Sequence, residues 1–330
     1  MSLRLSVYKT SWPLEFPVRI TGRVFHESEA LTVEVSDGEN TGRGEALGVY
    51  YLNDNYPNMH EQIEAVRSHI ESGISIEEVQ DLLPPCGARN ALDCALWDLE
   101  TKRSGKSIWE LTGVDPAPTK TLFTIGIEDT PEGMAQKAKG AREFPVLKVK
   151  LDNIEPVERM TAIRAARPDA VLVVDANQGF DIDLLNAILP DFEHLDIKMI
   201  EQPLPRGMDS ELADYSSPIA LCADESCLSL SELQATLAIY DMVNIKLDKA
   251  GGLTEGLEIA RQTRAAGKRV MVGNMAGTSL SMCPAYVVAQ FCDFIDLDGP
   301  LSLKSDYLDG MKYSESLMMP PRGFWGRIQH

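Results

Sequence analysis

The chain has 330 residues, 44% of them hydrophobic and 25% charged, which is the make-up of a folded globular protein and excludes wholesale disorder. Its 31 Lys+Arg against 50 Asp+Glu leave a net charge of −19 at pH 7. Such a surface repels phosphate backbones and anionic lipid heads, so nucleic acid and membrane surfaces are not expected as partners.

The length suits two domains, or one large barrel with an appendage. The first stretch reads as strands: SVYKTSWPL, RITGRVF and ALTVEVSDG carry β-branched and aromatic residues, and Asp37-Gly38 marks a turn. Two helices follow. HEQIEAVRSHIES (60–72) spaces Ile63, Val66 and Ile70 on one helical face. ARNALDCALWDL does the same with Ala88, Ala91, Leu92, Ala95, Leu96 and Leu99. The proline-broken VDPAPTK (114–120) is the expected boundary, giving a first domain of 1–118 and a second of 119–299. The irregular tail, 300–330, is expected to pack back on the first.

Beyond that linker, eight short apolar runs alternate with helical segments: TLFTIGI, VLKVKL, VLVVDA, KMIEQP, IALCAD, MVNIKL, RVMVG and FIDLDG. Their C-terminal ends recur at a step of roughly 25 residues, and their Val/Ile/Leu content without polar alternation suits strands buried on both faces. Eight such units predict a closed (β/α) barrel. The six cysteines form no CxxC pair and sit mostly in apolar surroundings, as reduced thiols of a cytoplasmic enzyme would. No signal-peptide core and no apolar run long enough to span a bilayer is present, so a cytoplasmic location is expected. The oligomeric state is left open, a homo-oligomer included.

Catalytic groups of a parallel barrel belong at the C-terminal strand ends. Read in order, those ends carry Lys148 and Lys150, Asp175 and Asn177, Glu201, Asp224 and Glu225, Lys246, then Asp296 and Asp298. One acid at a strand end is as often a helix cap as a functional group. Five acids (Glu225, next to Asp224, left aside) and three lysines at one rim are a site. Asp175, Glu201 and Asp224 end consecutive strands, and three adjacent carboxylates repel one another unless a cation sits between them. Oxygen-only donors favour Mg²⁺ over Zn²⁺, and the five histidines show no HxH or HExxH spacing.

The strand period of two puts Lys148 and Lys150 on one side, where each disfavours protonation of the other, so one can act as a base near neutral pH. Lys246 ends a strand four further round. Two lysines facing across a divalent metal suit proton abstraction beside a carboxylate, with an enediolate stabilised by the metal. A lone Schiff-base lysine fits the carboxylate trio less well. Lys249 reads as a loop or helix-start residue, Gly251-Gly252 as a turn, and Glu225 as turned away from the metal by strand parity. GNMAGTS (273–279) is expected to line the pocket through its backbone.

In their order and spacing, KVKLD, VVDANQGF, IEQP, ADES, VNIKLDKAGGLTEG and DLDGP resemble the enolase superfamily, and within it the muconate-lactonising subgroup. ARNALDCALWDL, ADESC, MVNIKLDKAGGLTE and DLDGP are most similar to the L-Ala-D/L-Glu (dipeptide) epimerases. The resemblance covers nearly the whole chain. It implies a (β/α)7β barrel under an N-terminal α+β capping domain completed by the C-terminal tail. It also implies Asp175, Glu201 and Asp224 as Mg²⁺ ligands and Lys150 with Lys246 as the acid/base pair. Lys148 would tune Lys150 and touch the substrate carboxylate, and Asp296 and Asp298 would hold the α-ammonium of a dipeptide. For a Glu side chain the family offers a basic residue on the cap loop. Here RITGRVFHESEA departs from its usual pattern, and Arg23 is the candidate, with Arg19 and His26 as alternatives.

The expected reaction is therefore 1,1-proton transfer at the α-carbon of a dipeptide's C-terminal residue. Cycloisomerisation, o-succinylbenzoate synthesis and N-acyl amino acid racemisation are rivals from the same subgroup, whose substrates have no ammonium for the Asp pair. A non-catalytic binding protein is the rival from another class. It fits poorly, because every metal and lysine position is filled.

Overall fold

The computed structural model describes residues 2–20, 23–320 and 323–327, with the side chains of Ile20 and Arg23 outside the described set. The chain opens with an antiparallel sheet of β1 (Arg4–Ile20), β2 (Arg23–Ser36) and β3 (Thr41–Ala46). RITGRVF is not a strand of its own. Its two halves belong to a long hairpin in which Ile20 pairs with Arg23, and the register shifts between Pro13 and Val18. That shift falls where Pro13 and Pro17 have no N–H to give a ladder.

Four helices follow: α1 (Tyr56–Glu71), α2 (Ile76–Leu82), α3 (Gly87–Ser104) and α4 (Ile108–Thr112). Helix α2 went unread in the sequence. It is one short stretch, IEEVQDL, whose start is set by a capping box between Ser75 and Glu78. Helix α3 is buried along most of its length because β3 lies directly on it. A Cβ on Gly42 would stand 2.0 Å from the Ala95 carbonyl oxygen, and one on Gly44 would stand 2.0 Å from that of Ala91. Only glycine permits that approach.

After β4 (Thr119–Lys120), eight strands form one parallel sheet ordered as in the sequence. They are β5 (Phe123–Ile125), β6 (Val146–Lys150), β7 (Val171–Asp175), β8 (Ile197–Glu201), β9 (Ala220–Ala223), β10 (Met242–Ile245), β11 (Arg269–Val272) and β12 (Phe294–Ile295). The ends of the sheet meet where Leu122 N donates to Ile295 O at 2.8 Å, which closes the barrel.

The connections carry α5 (Pro131–Gly140), α6 (Pro156–Ala166), α7 (Ile182–His194), α8 (Leu230–Leu237), α9 (Leu247–Ala250), α10 (Leu253–Ala265) and α11 (Ser279–Ala289). Between β8 and β9 there is only a 3₁₀ turn, Asp209–Leu212, since Pro203, Pro205 and Gly207 interrupt the run where a helix would begin. Inside the barrel a layer of Leu122, Val173, Met199, Cys222, Met242, Met271 and Phe294 packs together. This apolar floor leaves the polar strand ends a mouth of their own.

The tail strands β13 (Lys312–Ser314) and β14 (Leu317–Met319) pair with each other, and β14 pairs with β4. The chain then lays Trp325 on α3, its Nε1 donating to Cys94 O at 3.1 Å, while Gly326 N donates to the buried Asp98 at 2.9 Å. All six cysteines are free thiols. Among the described residues no helix is long and apolar enough to cross a membrane.

Three buried acids join the N-terminal layer to the barrel. Glu45 accepts from Thr278 N and Oγ1 at 2.9 Å each, Asp93 accepts from Thr254 N at 3.1 Å and Oγ1 at 2.5 Å, and Asp248 accepts from Leu47 N and Gly48 N at 2.8 Å each. Burial outweighs these hydrogen bonds and pushes Glu45 and Asp248 up to about 7 and Asp93 to about 6. Nearby Asp306 adds to the effect on Glu45.

An acid raised on folding holds its proton longer in the folded state. Its contribution is intact below the unfolded carboxyl pKa of about 4 and is lost as pH rises through the folded value. Thermal unfolding between pH 5 and 8 should show a midpoint that falls with rising pH. Glu45→Gln should flatten that slope and gain up to about 3 kcal/mol at pH 8. A midpoint that climbs over this range would contradict the assignment.

Candidate active site

Strand β6 presents Lys148 and Lys150 at alternate positions on the barrel's inner face, while Leu147 and Val149 pack outward. The next three strand ends bring Asp175, Glu201 and Asp224, each 0% exposed. The registers Lys150↔Asp175 and Asp175↔Glu201 set the first three ends of this row level with one another. Lys246 follows β10 on the far side, and Asp296 and Asp298 follow β12.

These groups form one ionic layer. Lys148 Nζ lies 3.0 Å from Asp175, 2.8 Å from Glu201 and 2.9 Å from Asp296. Lys150 donates to Asp175 Oδ2 at 2.5 Å and to Asn177 Oδ1 at 2.8 Å. Lys246 donates to Asp224 Oδ2 at 2.6 Å. The two lysines thus engage the outer members of the carboxylate row, with Glu201 between.

Burial works against the ammonium of Lys148, but Asp175, Asp296 and Glu201 outweigh it and hold the group well above the ordinary lysine value. Burial likewise opposes Lys246, and Asp224 holds it up. Only the expectation that Lys150 would disfavour the charge on Lys148 is corrected: three carboxylates within 3.0 Å dominate over that repulsion, so Lys148 stays cationic. Among the acids, burial raises all three. The lysines overcome it at Asp175, which falls to about 2, and at Asp224, which lies lower still. Glu201 has less compensation and is pushed up to about 7 by burial and by Asp175.

The donor set suits a hard cation. Glu201 Oε2 is buried with no hydrogen-bond partner among the described residues, although it stands 2.8 Å from Lys148 Nζ without hydrogen-bond geometry. Its other oxygen accepts from Asn244 Nδ2 at 2.7 Å. A buried carboxylate oxygen that faces only an ammonium, with no hydrogen bond of its own, keeps acceptor capacity for a metal. Among the described residues, no three acid, histidine or cysteine side chains converge tightly enough to form a ready-made metal cluster. The outer carboxylates are turned to lysine nitrogens.

Sequence reading missed the residues that hold this layer in place. Lys249 is in the short helix α9 as expected of a helix start, yet it is 3% exposed. Its Nζ donates to Asp224 Oδ1 and O at 2.6 and 2.5 Å, to Asn244 O at 3.0 Å and to Cys227 O at 3.1 Å. Its spacing of three from Lys246 was the signal, since one helical turn returns it to the same side. Gln202, at φ 37°, accepts from Asp224 N and Ser226 N at 3.0 Å each.

Gly273, the first residue of GNMAGTS, leaves room beside the site, where a Cβ would lie 2.8 Å from Asn244 Oδ1 and 3.1 Å from Lys246 Cε. Asn274 supports β12 through Asp296 O at 2.6 Å. Asp298 Oδ2 accepts from Thr124 N at 2.8 Å, and burial with the Asp296 charge raises its carboxyl to about 7. Glu225 is 2% exposed, and its Oε2 has no partner among the described residues.

The cap reaches the mouth through the segment that starts at Leu47, which carries Tyr50 and Tyr51. The charges of Asp224 and Lys246 act on both phenols. Of the cap-loop candidates, Arg23 lies at the start of β2 with its side chain outside the described residues. His26 is exposed. Arg19 pairs with Asp129 at 2.6 Å, tying the hairpin to the loop after β5, so its charge is already engaged.

The chain matches two family models: the mandelate racemase / muconate lactonizing enzyme N-terminal domain over residues 2–113, and the enolase C-terminal domain-like model over 133–309. It is 39% identical to the L-Ala-D/L-Glu epimerase of Escherichia coli (strain K12), over 94% of this chain and 97% of that one. It is 36% identical to the N-acetyl-D-glutamate racemase of a Pseudoalteromonas species, over 90% of this chain and 95% of that one. Among solved structures it is similar to the dipeptide epimerase from Methylococcus capsulatus complexed with Mg and the dipeptide L-Arg-D-Lys. The TM-score there is 0.89 at 30% identity, covering 97% of this chain and 98% of the other.

Proposed function

The chain belongs to the mandelate racemase/muconate lactonizing family of enolase-like enzymes, and on that footing we propose that it is a Mg²⁺-dependent dipeptide epimerase acting on Ala-Glu-like substrates. One observation carries this reading: Lys150 and Lys246 engage opposite ends of a buried row of carboxylates, while an acid pair stands just beyond β12. Relatives named for epimerising dipeptides support it.

Asp175, Glu201 and Asp224 would hold the metal. When bound, a hard dication there offsets the charge that builds on the substrate carboxylate and competes with the lysines for these three acids. Lys148, kept cationic, orients that carboxylate. One of Lys150 and Lys246 removes the α-proton of the C-terminal residue, and the other returns a proton to the opposite face. Asp298, with Asp296, accepts the dipeptide's ammonium. Asp296 already shares Lys148, so Asp298 supplies most of the free acceptor capacity. The free thiols support a cytoplasmic setting.

Incubation with L-Ala-L-Glu and Mg²⁺ in D₂O should remove the Glu α-proton signal from the NMR spectrum and produce the L,D epimer. Similarity to the N-acetyl-D-glutamate racemase favours one second reading, racemisation of an N-acyl amino acid. Asp298→Asn separates the two. It should cut dipeptide turnover by about 10–100-fold through loss of an ammonium contact, while leaving turnover of N-acetylglutamate unharmed. Exchange with N-acetylglutamate alone would replace the dipeptide reading by the second.

A further inference from the structure

Helix α9 is one turn long and begins directly after Lys246. It is gripped from two sides. Inward, Lys249 gives its ammonium to Asp224. From the cap, the buried Arg89 of α3 donates through Nη2 to Ala250 O at 2.7 Å and through Nε to Gly251 O at 3.0 Å. Between these contacts stands Asp248, also buried.

Asp248 reaches from this turn into the cap. Its Oδ1 accepts from both Leu47 N and Gly48 N at 2.8 Å, and the Asn90 side chain bonds to the same carboxylate. Leu47 and Gly48 open the segment that brings Tyr50 and Tyr51 to the mouth, where the charges of Asp224 and Lys246 act on both phenols. The two rings meet at 5.1 Å, and Tyr50 meets Phe25 of β2 at 5.5 Å, so the hairpin is tied to the same segment. At the far end of the segment Asp54 Oδ2 accepts from Gly87 N at 2.7 Å, a bond within the cap. Asp248, two residues past Lys246, is by contrast a bond between cap and barrel. Two successive N–H groups converging on one buried oxygen fix both the distance and the direction of the chain that carries them, because neither can be left without an acceptor at low cost.

We propose that Asp248 is a positioning residue for the reaction: it sets the cap wall that carries Tyr50 and Tyr51 against the mouth so that the substrate is gripped, and leaves the proton transfer to the lysines. This rests on the reading of the mouth as the epimerising site. Lys246 is held by Asp224, and Asp224 by Lys249, with no contribution from Asp248. Loss of Asp248 therefore loosens the wall and spares the chemistry. Binding lost equally from substrate and transition state raises KM and leaves kcat in place.

Steady-state epimerisation of L-Ala-L-Glu at saturating Mg²⁺ tests this. Asp248→Ala should raise KM about 10-fold or more, with kcat within about 2-fold of the native value. Asp248→Asn keeps an oxygen for the two N–H groups and should bring KM back to within about 3-fold of native, which a role for the negative charge itself would not allow. Gly48→Ala breaks the same link from the cap side and leaves the barrel untouched. Gly48 has φ 73°, and a Cβ there would stand 2.1 Å from Asp54 O, so the segment must shift. This variant should raise KM alone, including where Asp248→Ala fails to fold. The two changes together should raise KM no further than the larger of them, since both release one segment. An unchanged KM in Gly48→Ala would overturn the proposal, as would a fall in kcat without a rise in KM, an Asp248→Asn variant as impaired as Asp248→Ala, or effects that multiply. If the native chain turns over N-acetylglutamate instead, the same constants are read on that substrate. A native chain that turns over neither would overturn the reading of the mouth and the proposal with it, whereas the other results overturn the proposal alone.

Discussion

Lys150→Ala and Lys246→Ala should each abolish interconversion of L-Ala-L-Glu and its epimer, by about 10²–10⁴-fold, the worth of a positioned general acid or base. Loss of rate alone would not separate a base from a structural lysine, so the direction of the residual chemistry matters more. With one lysine left, a proton can still leave and return on one face. Each variant should therefore retain α-proton exchange in D₂O with one epimer only, and the two variants should favour opposite epimers.

Folding should survive either change. Asp175 keeps Lys148 at 3.0 Å when Lys150 is removed, and Asp224 keeps Lys249 at 2.6 Å when Lys246 is removed. Exchange of both epimers by either variant, at rates near those of the native chain, would remove the two-base assignment.

Lys249→Met should have the largest effect on stability. The ammonium is 3% exposed and donates to a buried carboxylate and three backbone carbonyls. Methionine fills the volume and supplies no donor. Breaking a buried ion pair from one side costs about 3–5 kcal/mol, because the partner charge stays behind. In a chain of this size the unfolding midpoint should drop on the order of 10 °C. Lys198→Met is the control: its partner Asp196 lies at the surface, and such pairs contribute little. Lys249→Arg, with the charge kept but the compact ammonium lost, should fall between. A midpoint for Lys249→Met that matches the control would mean that Asp224 is held by Lys246 and the backbone alone.

The barrel was legible because its strands obey a one-dimensional rule. A buried parallel strand is a short Val/Ile/Leu run, and its polar end residue marks the mouth, so VLKVKL, VLVVDA and KMIEQP give both the strand and the ionisable residue at its mouth end. The hairpin of β1 and β2 was less legible. Its prolines interrupt the pattern, and long-range pairing with β2 keeps the strand continuous through them.

The contents of the mouth were decided by the sequence: which acids, which lysines, and that adjacent carboxylates need a cation among them. Their state of charge was decided only in three dimensions. Alternation along β6 correctly puts Lys148 beside Lys150. Asp175 on the neighbouring strand, together with Asp296, which barrel closure brings from beyond β12 to 2.9 Å from Lys148, then reverses the expected sign of its pKa shift. Proximity along a strand is encoded every second residue. The sum of charges around a buried nitrogen depends on strands far apart in the chain, so it exists only once the barrel closes. The same holds for Lys249, whose four acceptors come from three separate residues, and for the buried acids that clamp the cap to the barrel. Charge type is local information, while the dielectric and the partners that set its chemistry come from packing.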